Sequence, residues 1–192
     1  MCIRDSARGG GTMSSRTRGI ITRPSDDDTL EFITIASTGN SAEFGEDSIA
    51  NQGAVFSNQT RGIALMGRIA PSPNNDGNTM HHVTISTLGN SADFGDLTAP
   101  TYASGTAANA TRGLVLSSSN GGSPAQTNMI DFVTISTLGN SVRFGELDRV
   151  RAGVSGANAG MGVASPTRAV YCGGYGSPSP VYTINTRMDY VQ

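Results

Sequence analysis

An arginine recurs along this chain at Arg18, Arg61, Arg112 and Arg168, each after a threonine. A planar guanidinium binds carboxylate or phosphate in a bidentate fashion, so a ring of such residues could clamp an anionic ligand. An acid recurs with a similar interval, at Glu46, Asp96 and Glu146. The expectation is therefore structural: each arginine pairs with a carboxylate and holds the scaffold. His81-His82 is the only histidine pair. Adjacent residues on a strand point to opposite faces and no third ligand lies nearby in sequence, so the pair reads as structural rather than metal-binding. Asp26-Asp27-Asp28 lacks the alternating ligands and glycine of a calcium loop. Gly9-Gly10-Gly11 lacks the lysine of a phosphate loop. No nucleophile beside a base, and no paired acids for glycosidic hydrolysis, emerge from the spacing. The expectation is no catalytic, metal or cofactor site.

These residues sit in a repeat. Phe32-Ile33-Thr34-Ile35 leads to Gly39-Asn40-Ser41 and Phe44-Gly45-Glu46, and the phrase returns from His82 to Asp96 and from Phe132 to Glu146, an interval of 50 residues. A period of this size marks units that are stacked because none can bury its apolar face alone. Each unit begins with Thr-Arg-Gly, or Thr-Arg-Ala at Arg168-Ala169, and a short apolar run suited to a buried strand. A polar loop of differing length follows, then the Phe-Val-Thr-Ile strand. Its alternation places Ile33, Ile35, Val83, Ile85, Val133 and Ile135 on one face, predicted to be core. Gly39-Asn40, Gly89-Asn90 and Gly139-Asn140 mark a turn. Phe44, Phe94 and Phe144 then each precede a glycine, which suggests a ring anchored between units with the backbones in close approach. A segment rich in Ala, Gly and Ser, such as Tyr102-Ala103-Ser104-Gly105 or Ala152-Gly153-Val154-Ser155, closes the unit. Four strands in about 50 residues describe a propeller blade, and the class is all-β.

Composition agrees. All 13 basic residues are arginine, there is no tryptophan, and the net charge is -2, which gives no basic footprint for nucleic acid. No apolar run approaches the roughly 20 residues of a membrane span. Cys2 and Cys172 are too few for a disulfide framework and read as free thiols. Asn58-Gln59-Thr60 and Asn109-Ala110-Thr111 match the glycosylation sequon, which is uninformative without a secretory signal. Met1-Cys2-Ile3-Arg4-Asp5-Ser6 resembles translated sequencing-adapter contamination of a metagenomic gene and carries no expectation about the fold. Met188-Asp189-Tyr190-Val191-Gln192 copies Ile130-Asp131-Phe132-Val133-Thr134 and then stops, so the chain reads as cut at both ends.

On these motifs the chain resembles the kelch-repeat β-propellers. Arg168-Ala169-Val170-Tyr171-Cys172-Gly173-Gly174 is similar to the kelch strand ending in a double glycine, and Asp189-Tyr190-Val191 to its tyrosine-containing third strand. Gly139-Asn140-Ser141 to Phe144 resembles the turn into the fourth strand, and Leu147 to Arg151 the lead into the next blade. Phenylalanine stands where kelch carries tryptophan, and the double glycine is missing from the first three copies. The Thr-Arg-Gly and Gly-Asn-x-x-x-Phe-Gly phrases also resemble repeats in predicted virion or tail proteins of marine bacteriophages. The aspartate box of sialidases and the copper ligands of galactose oxidases are absent.

The resemblance implies an incomplete kelch-like propeller of about three and a half four-stranded blades. The units expected are a disordered tail over 1–16 and repeats over 17–59, 60–110, 111–166 and a partial 167–192. The implied role is a non-catalytic binding or structural module of a phage virion or tail fibre. Its partners would be host-surface protein or glycan, or other virion proteins, with self-association a further option. The alternative is a fragment of a carbohydrate-active propeller enzyme whose catalytic residues lie in missing blades. Loops that differ between copies are the expected contact surface, with Asn74, Asn75, Asp76, Ser118 and Asn120 as candidates.

Overall fold

The computed structural model describes residues 11–22, 28–47, 54–69, 75–101, 104–119, 126–150, 160–176, 183–184 and 188–192. It is all-β, a β-propeller arrangement of four antiparallel blades. Blade 1 runs in chain order through β1 (Thr12–Ser14), β2 (Arg18–Thr22), β3 (Thr29–Thr34) and β4 (Ala42–Glu46). Blade 2 contains β5 (Val55–Ser57) and β6 (Arg61–Leu65), a short ribbon of β7 (Arg68–Ile69) with β8 (Asn75–Asp76), then β9 (Thr79–Thr84) and β10 (Ala92–Asp96). Blade 3 is β11 (Gly105–Ala108), β12 (Arg112–Ser119), β13 (Gln126–Thr134) and β14 (Val142–Glu146). Blade 4 has β15 (Gly160–Ala164), β16 (Ala169–Gly173), a ribbon of β17 (Tyr175–Gly176) with β18 (Thr183–Ile184), and β19 (Met188–Val191). Its blade sheet shows three strands among the described residues, joined to blade 3 by a parallel bridge between Thr106 and Met161.

The repeat phase expected from sequence is off by one strand. Residues 102–103 and 152–155 lie outside the described residues, but the strands just after them, Gly105–Ala108 and Gly160–Ala164, do not close a unit and instead open the next blade: Thr106 pairs with Val115, and Val163 with Val170. Blade 1 obeys the same rule, so Thr12–Ser14 is not tail but strand, with Met13 paired to Ile20 and fully buried. Residues 1–10 lie outside the described residues. The turns between the first two strands are built by side-chain oxygens that accept from following amides. Asn58 Oδ1 takes Thr60 N at 2.9 Å and Arg61 N at 2.8 Å, and Asn109 does the same for Thr111 and Arg112. The amide nitrogens of these sequon asparagines reach across to the following blade, Asn58 Nδ2 to Ala110 O and Asn109 Nδ2 to Pro166 O.

The core lies between blades rather than within one. Val83 and Ile85 of blade 2 pack with Met13, Ile20, Leu30 and Phe44 of blade 1, while Val133 and Ile135 of blade 3 pack with Phe56, Ile63, Met80 and Phe94 of blade 2. Ile33, Ile35 and Phe144 depart from the expected burial, being 39%, 52% and 39% exposed. Alternation puts Ile33 and Ile35 on the face that, in blades 2 and 3, meets the preceding blade. Among the described residues no blade covers that face of blade 1. Cys172 is a free thiol, and Cys2 lies outside the described residues.

Candidate functional site

The residues common to the repeats converge on the seams between blades. The register of each outer strand against its neighbour shifts around the phenylalanine, between Glu43 and Gly45, Asp93 and Gly95, and Arg143 and Gly145. Such a bulge re-aims a side chain, here the ring of Phe44 or Phe94 into the gap before the next blade. The following glycine brings the backbone against the turn of the next unit. At Gly95, φ is 141°, and a Cβ there would lie 2.5 Å from the carbonyl of Gly139. Hydrogen bonds close the latch: Gly89 N donates to Phe44 O at 2.9 Å and Ser91 N to Glu46 O at 2.8 Å. One blade on, Gly139 N donates to Phe94 O and Ser141 N to Asp96 O, both at 2.8 Å. The turn asparagine adds an acceptor, Asn90 Oδ1 for Glu46 N at 3.1 Å and Asn140 Oδ1 for Asp96 N at 3.0 Å.

The arginines take a partner other than the carboxylates expected for them. Arg18 donates to the Ile85 carbonyl of the next blade at 2.8 Å, and Arg61 to the Ile135 carbonyl at 2.7 Å. Each also stacks on rings of its own blade: Arg18 lies 4.6 Å over Phe32, Arg61 6.0 Å over Phe94, Arg112 5.2 Å over Phe132 and Arg168 5.0 Å over Tyr190. Such cation–π contacts and a charge-assisted bond to a carbonyl suit a rivet across a seam. The acids at Glu46 and Asp96 serve through their backbones, as above. Glu146 meets Arg143 at 2.7 Å and accepts from Asn128.

Two polar knots lie on the seams, and neither was anticipated from sequence. Asp47, 2% exposed, accepts from Ser91 Oγ at 2.8 Å and sits 3.1 Å from His81 Nδ1. At the next seam Asp131, 5% exposed, accepts from Thr98 N at 3.1 Å, from Thr98 Oγ1 and from Ser141 Oγ at 3.1 Å. The serine, histidine and aspartate of the first knot do not form a hydrolytic triad. Serine and carboxylate both address Nδ1 of His81, whereas a triad needs them on opposite ring nitrogens. The only hint in the sequence was that Ser41, Ser91 and Ser141 repeat opposite Glu31, His81 and Asp131. His82 stands where blades 1 and 3 have Phe32 and Phe132, and packs edge-on against Phe94 at 5.9 Å. Burial pushes its imidazole below the ordinary value of 6.5 and the Arg61 guanidinium adds to this; the Ala92 and Asp93 backbone and the Asp93 carboxylate offset it in part.

Of the candidate contact residues, Asn75 and Asp76 lie on β8 and Ser118 on β12 rather than in loops, while Asn74 and Asn120 lie outside the described residues. The segments between the second and third strands are ribbons at their bases: β7 with β8, the ends of β12 and β13 paired through Ser119 and Gln126, and β17 with β18. All occupy the same connection of their blades and so emerge on one face. A cleft of about 290 Å³ opens between blades 3 and 4, lined by Arg112, Leu114, Phe144, Pro166 and Val191 among others. Among the described residues no three His, Cys, Asp or Glu side chains converge as a metal site, and no helix is long and apolar enough to cross a membrane.

No protein-family model matches the sequence, and no curated protein matches it. Among solved structures the fold is similar to that described as "Structure of YjhT", with a TM-score of 0.66 and 8% sequence identity. The match covers 92% of this chain, which spans 61% of that one. At this identity the likeness speaks to architecture alone: the chain is a β-propeller.

Proposed function

We propose that the chain is a non-catalytic binding and structural module of a phage virion or tail fibre, whose ribbons between the second and third strands meet a host surface. One observation carries this reading. The repeated Arg, Gly-Asn-Ser and Phe-Gly residues are spent on blade-to-blade contacts, and the segments that differ between copies leave one face together. A scaffold that keeps its chemistry in the seams and varies its projections is suited to recognition rather than turnover. Weak polar contacts from Asn, Ser and Asp gain strength when many copies are displayed on one particle.

The test is multivalent display. The 192-residue chain, coupled to beads, is presented to bacterial cells and to a glycan array. Saturable attachment that falls when Asn74-Asn75-Asp76 is replaced by Gly-Ser-Gly, with the thermal melt unchanged, is the expected result. Attachment that survives replacement of all the ribbons would overturn it, as would hydrolysis of a glycoside substrate by the unmodified chain.

A further inference from the structure

The repeat departs from its own rule at one turn. In blades 2 and 3 the asparagine that opens the turn before the recurrent arginine straps the next blade, Asn58 Nδ2 donating to Ala110 O at 3.0 Å and Asn109 Nδ2 to Pro166 O at 2.9 Å. Blade 1 has Ser15 at that place. Its hydroxyl still accepts from Thr17 N at 3.2 Å and from Arg18 N at 3.1 Å, so the turn keeps its shape, but a serine has no amide left to reach blade 2. A second exception stands beside it: Arg16 occupies the position of Gln59, Ala110 and Pro166. The blades remain joined here by Ser14 N donating to Ser57 Oγ and Arg16 N to Gln59 Oε1, both at 3.0 Å. A cleft of about 430 Å³ opens beside these bonds, lined by Ser15, Arg16, Arg18, Thr34, Gln59 and Ser86 among others. Both its walls belong to the seam between blades 1 and 2, whose latch is intact.

The lining is cationic and rich in donors. Two arginines contribute to it and, among the described residues, no aspartate or glutamate does. The Arg16 side chain makes no ion pair or hydrogen bond among the described residues, and Arg18 spends one donor on the Ile85 carbonyl at 2.8 Å, which fixes its guanidinium at the seam. Gln59 engages its side-chain oxygen, and its amide nitrogen is left to donate. We propose that this cleft binds the phosphate monoester of a small polyol, such as a sugar phosphate. Such a group brings about two negative charges near neutral pH and several strong acceptor oxygens, a match for two guanidiniums, whereas a carboxylate would leave one of them uncompensated. Arg16 and Arg18 take the phosphoryl oxygens, and Gln59, Thr34 and Ser86 bond the hydroxyls of the polyol. Pockets of about 300–1,000 Å³ are mostly apolar, but no aromatic or aliphatic residue lines this one among the described residues, which selects a hydroxylated body over a nucleobase or an acyl chain. The site goes beyond the host-surface reading. Successive turns of an antiparallel blade alternate between its ends, so the turn after β1 lies on the face opposite the ribbons that follow the second strands.

Glucose 6-phosphate titrated against the 192-residue chain by calorimetry tests the proposal, with glucose and inorganic phosphate as its two halves. Saturable binding of one glucose 6-phosphate per chain is expected, displaced by inorganic phosphate and absent with glucose. Arg16→Gln, at an exposed position, should weaken binding about tenfold or more by removing a charge-assisted contact, with the melt of the free chain in place. Ser15→Asn restores the strap of blades 2 and 3. It should raise the melting temperature and, by laying an amide across the cleft, lose the ligand; a purely structural role for the turn would not couple a gain in stability to a loss of binding. No saturation by glucose 6-phosphate, equal binding of glucose, or an affinity unchanged in both Arg16→Gln and Ser15→Asn would each overturn the proposal.

Discussion

Gly95 and Gly145 occupy the same place in consecutive repeats, but Gly95 holds a φ of 141° with the Gly139 turn against it, while Gly145 holds no such φ and has nothing within 4 Å of its Cβ position. Replacing Gly95 by alanine asks a residue with a Cβ to hold φ of 141°, which costs on the order of 1–3 kcal/mol. The new methyl would also sit 2.5 Å from the Gly139 carbonyl, so the turn must withdraw. Withdrawal removes Gly139 N to Phe94 O and Ser141 N to Asp96 O, both 2.8 Å, and Asn140 Oδ1 from Asp96 N at 3.0 Å. At about 1 kcal/mol for each net hydrogen bond the loss is about 3 kcal/mol, and the sum is roughly 4–6 kcal/mol. That is a large part of the total stability of a typical domain, about 5–15 kcal/mol. Gly145→Ala meets nothing within 4 Å, and its cost should stay within about 0.5 kcal/mol. Urea unfolding followed by circular dichroism measures both, as midpoint shifts at constant slope. Equal midpoints for the two variants would refute the latch, whatever their absolute values.

Two further outcomes follow from the seams. Ile85→Asp should destabilise by about 3–5 kcal/mol, because Ile85 is fully buried against Phe44, whereas Ile35→Asp, at a site 52% exposed, should leave the urea midpoint almost unmoved. The folded state holds His82 below its ordinary value of 6.5, so it binds fewer protons than the unfolded chain; stability is therefore full above about pH 6.5 and declines as pH falls through that value toward the lowered one. Melting temperatures between about pH 7.5 and 5 read this directly, and His82→Phe, which restores the residue of the neighbouring blades, should flatten the profile. A profile that keeps its slope in His82→Phe would assign the effect to another group.

The period of 50 residues and the alternation in Phe-Val-Thr-Ile were enough to reach an all-β propeller and to place Val83, Ile85, Val133 and Ile135 in the core. Residue type does not report whether a neighbouring blade is present, and so Ile33, Ile35 and Phe144, chemically equivalent to buried residues, were misplaced. The phase was missed for a related reason. The innermost strands, such as Gly105–Ala108, carry small residues with weak alternation, and their allegiance to the following blade is set by tertiary pairing. The partners of Arg18 and Arg61 could not be read from the sequence, because a backbone carbonyl leaves no trace in a sequence pattern. Asp47 and Thr98 escaped notice since the repeat has Leu97 and Leu147 where Asp47 stands, and only the seam geometry shows what each faces.

The two polar knots have a consequence for the order in which blades assemble. The Phe-Gly latch is the same at the first two seams, and by itself it would let blade 3 dock on blade 1 as readily as on blade 2. Asp47 removes that freedom. It is matched by His81 and Ser91, and a chain that skipped a blade would set its carboxylate against Asp131, bringing two buried acids together. Thr98, in turn, offers two donors that suit Asp131. Repeat proteins with identical interfaces are prone to misassembly between units. Here the acid comes from the earlier blade at one seam, Asp47, and from the later blade at the next, Asp131, which distinguishes neighbours that the repeat alone would leave interchangeable, so the numbering of the blades is written in the acids at their edges.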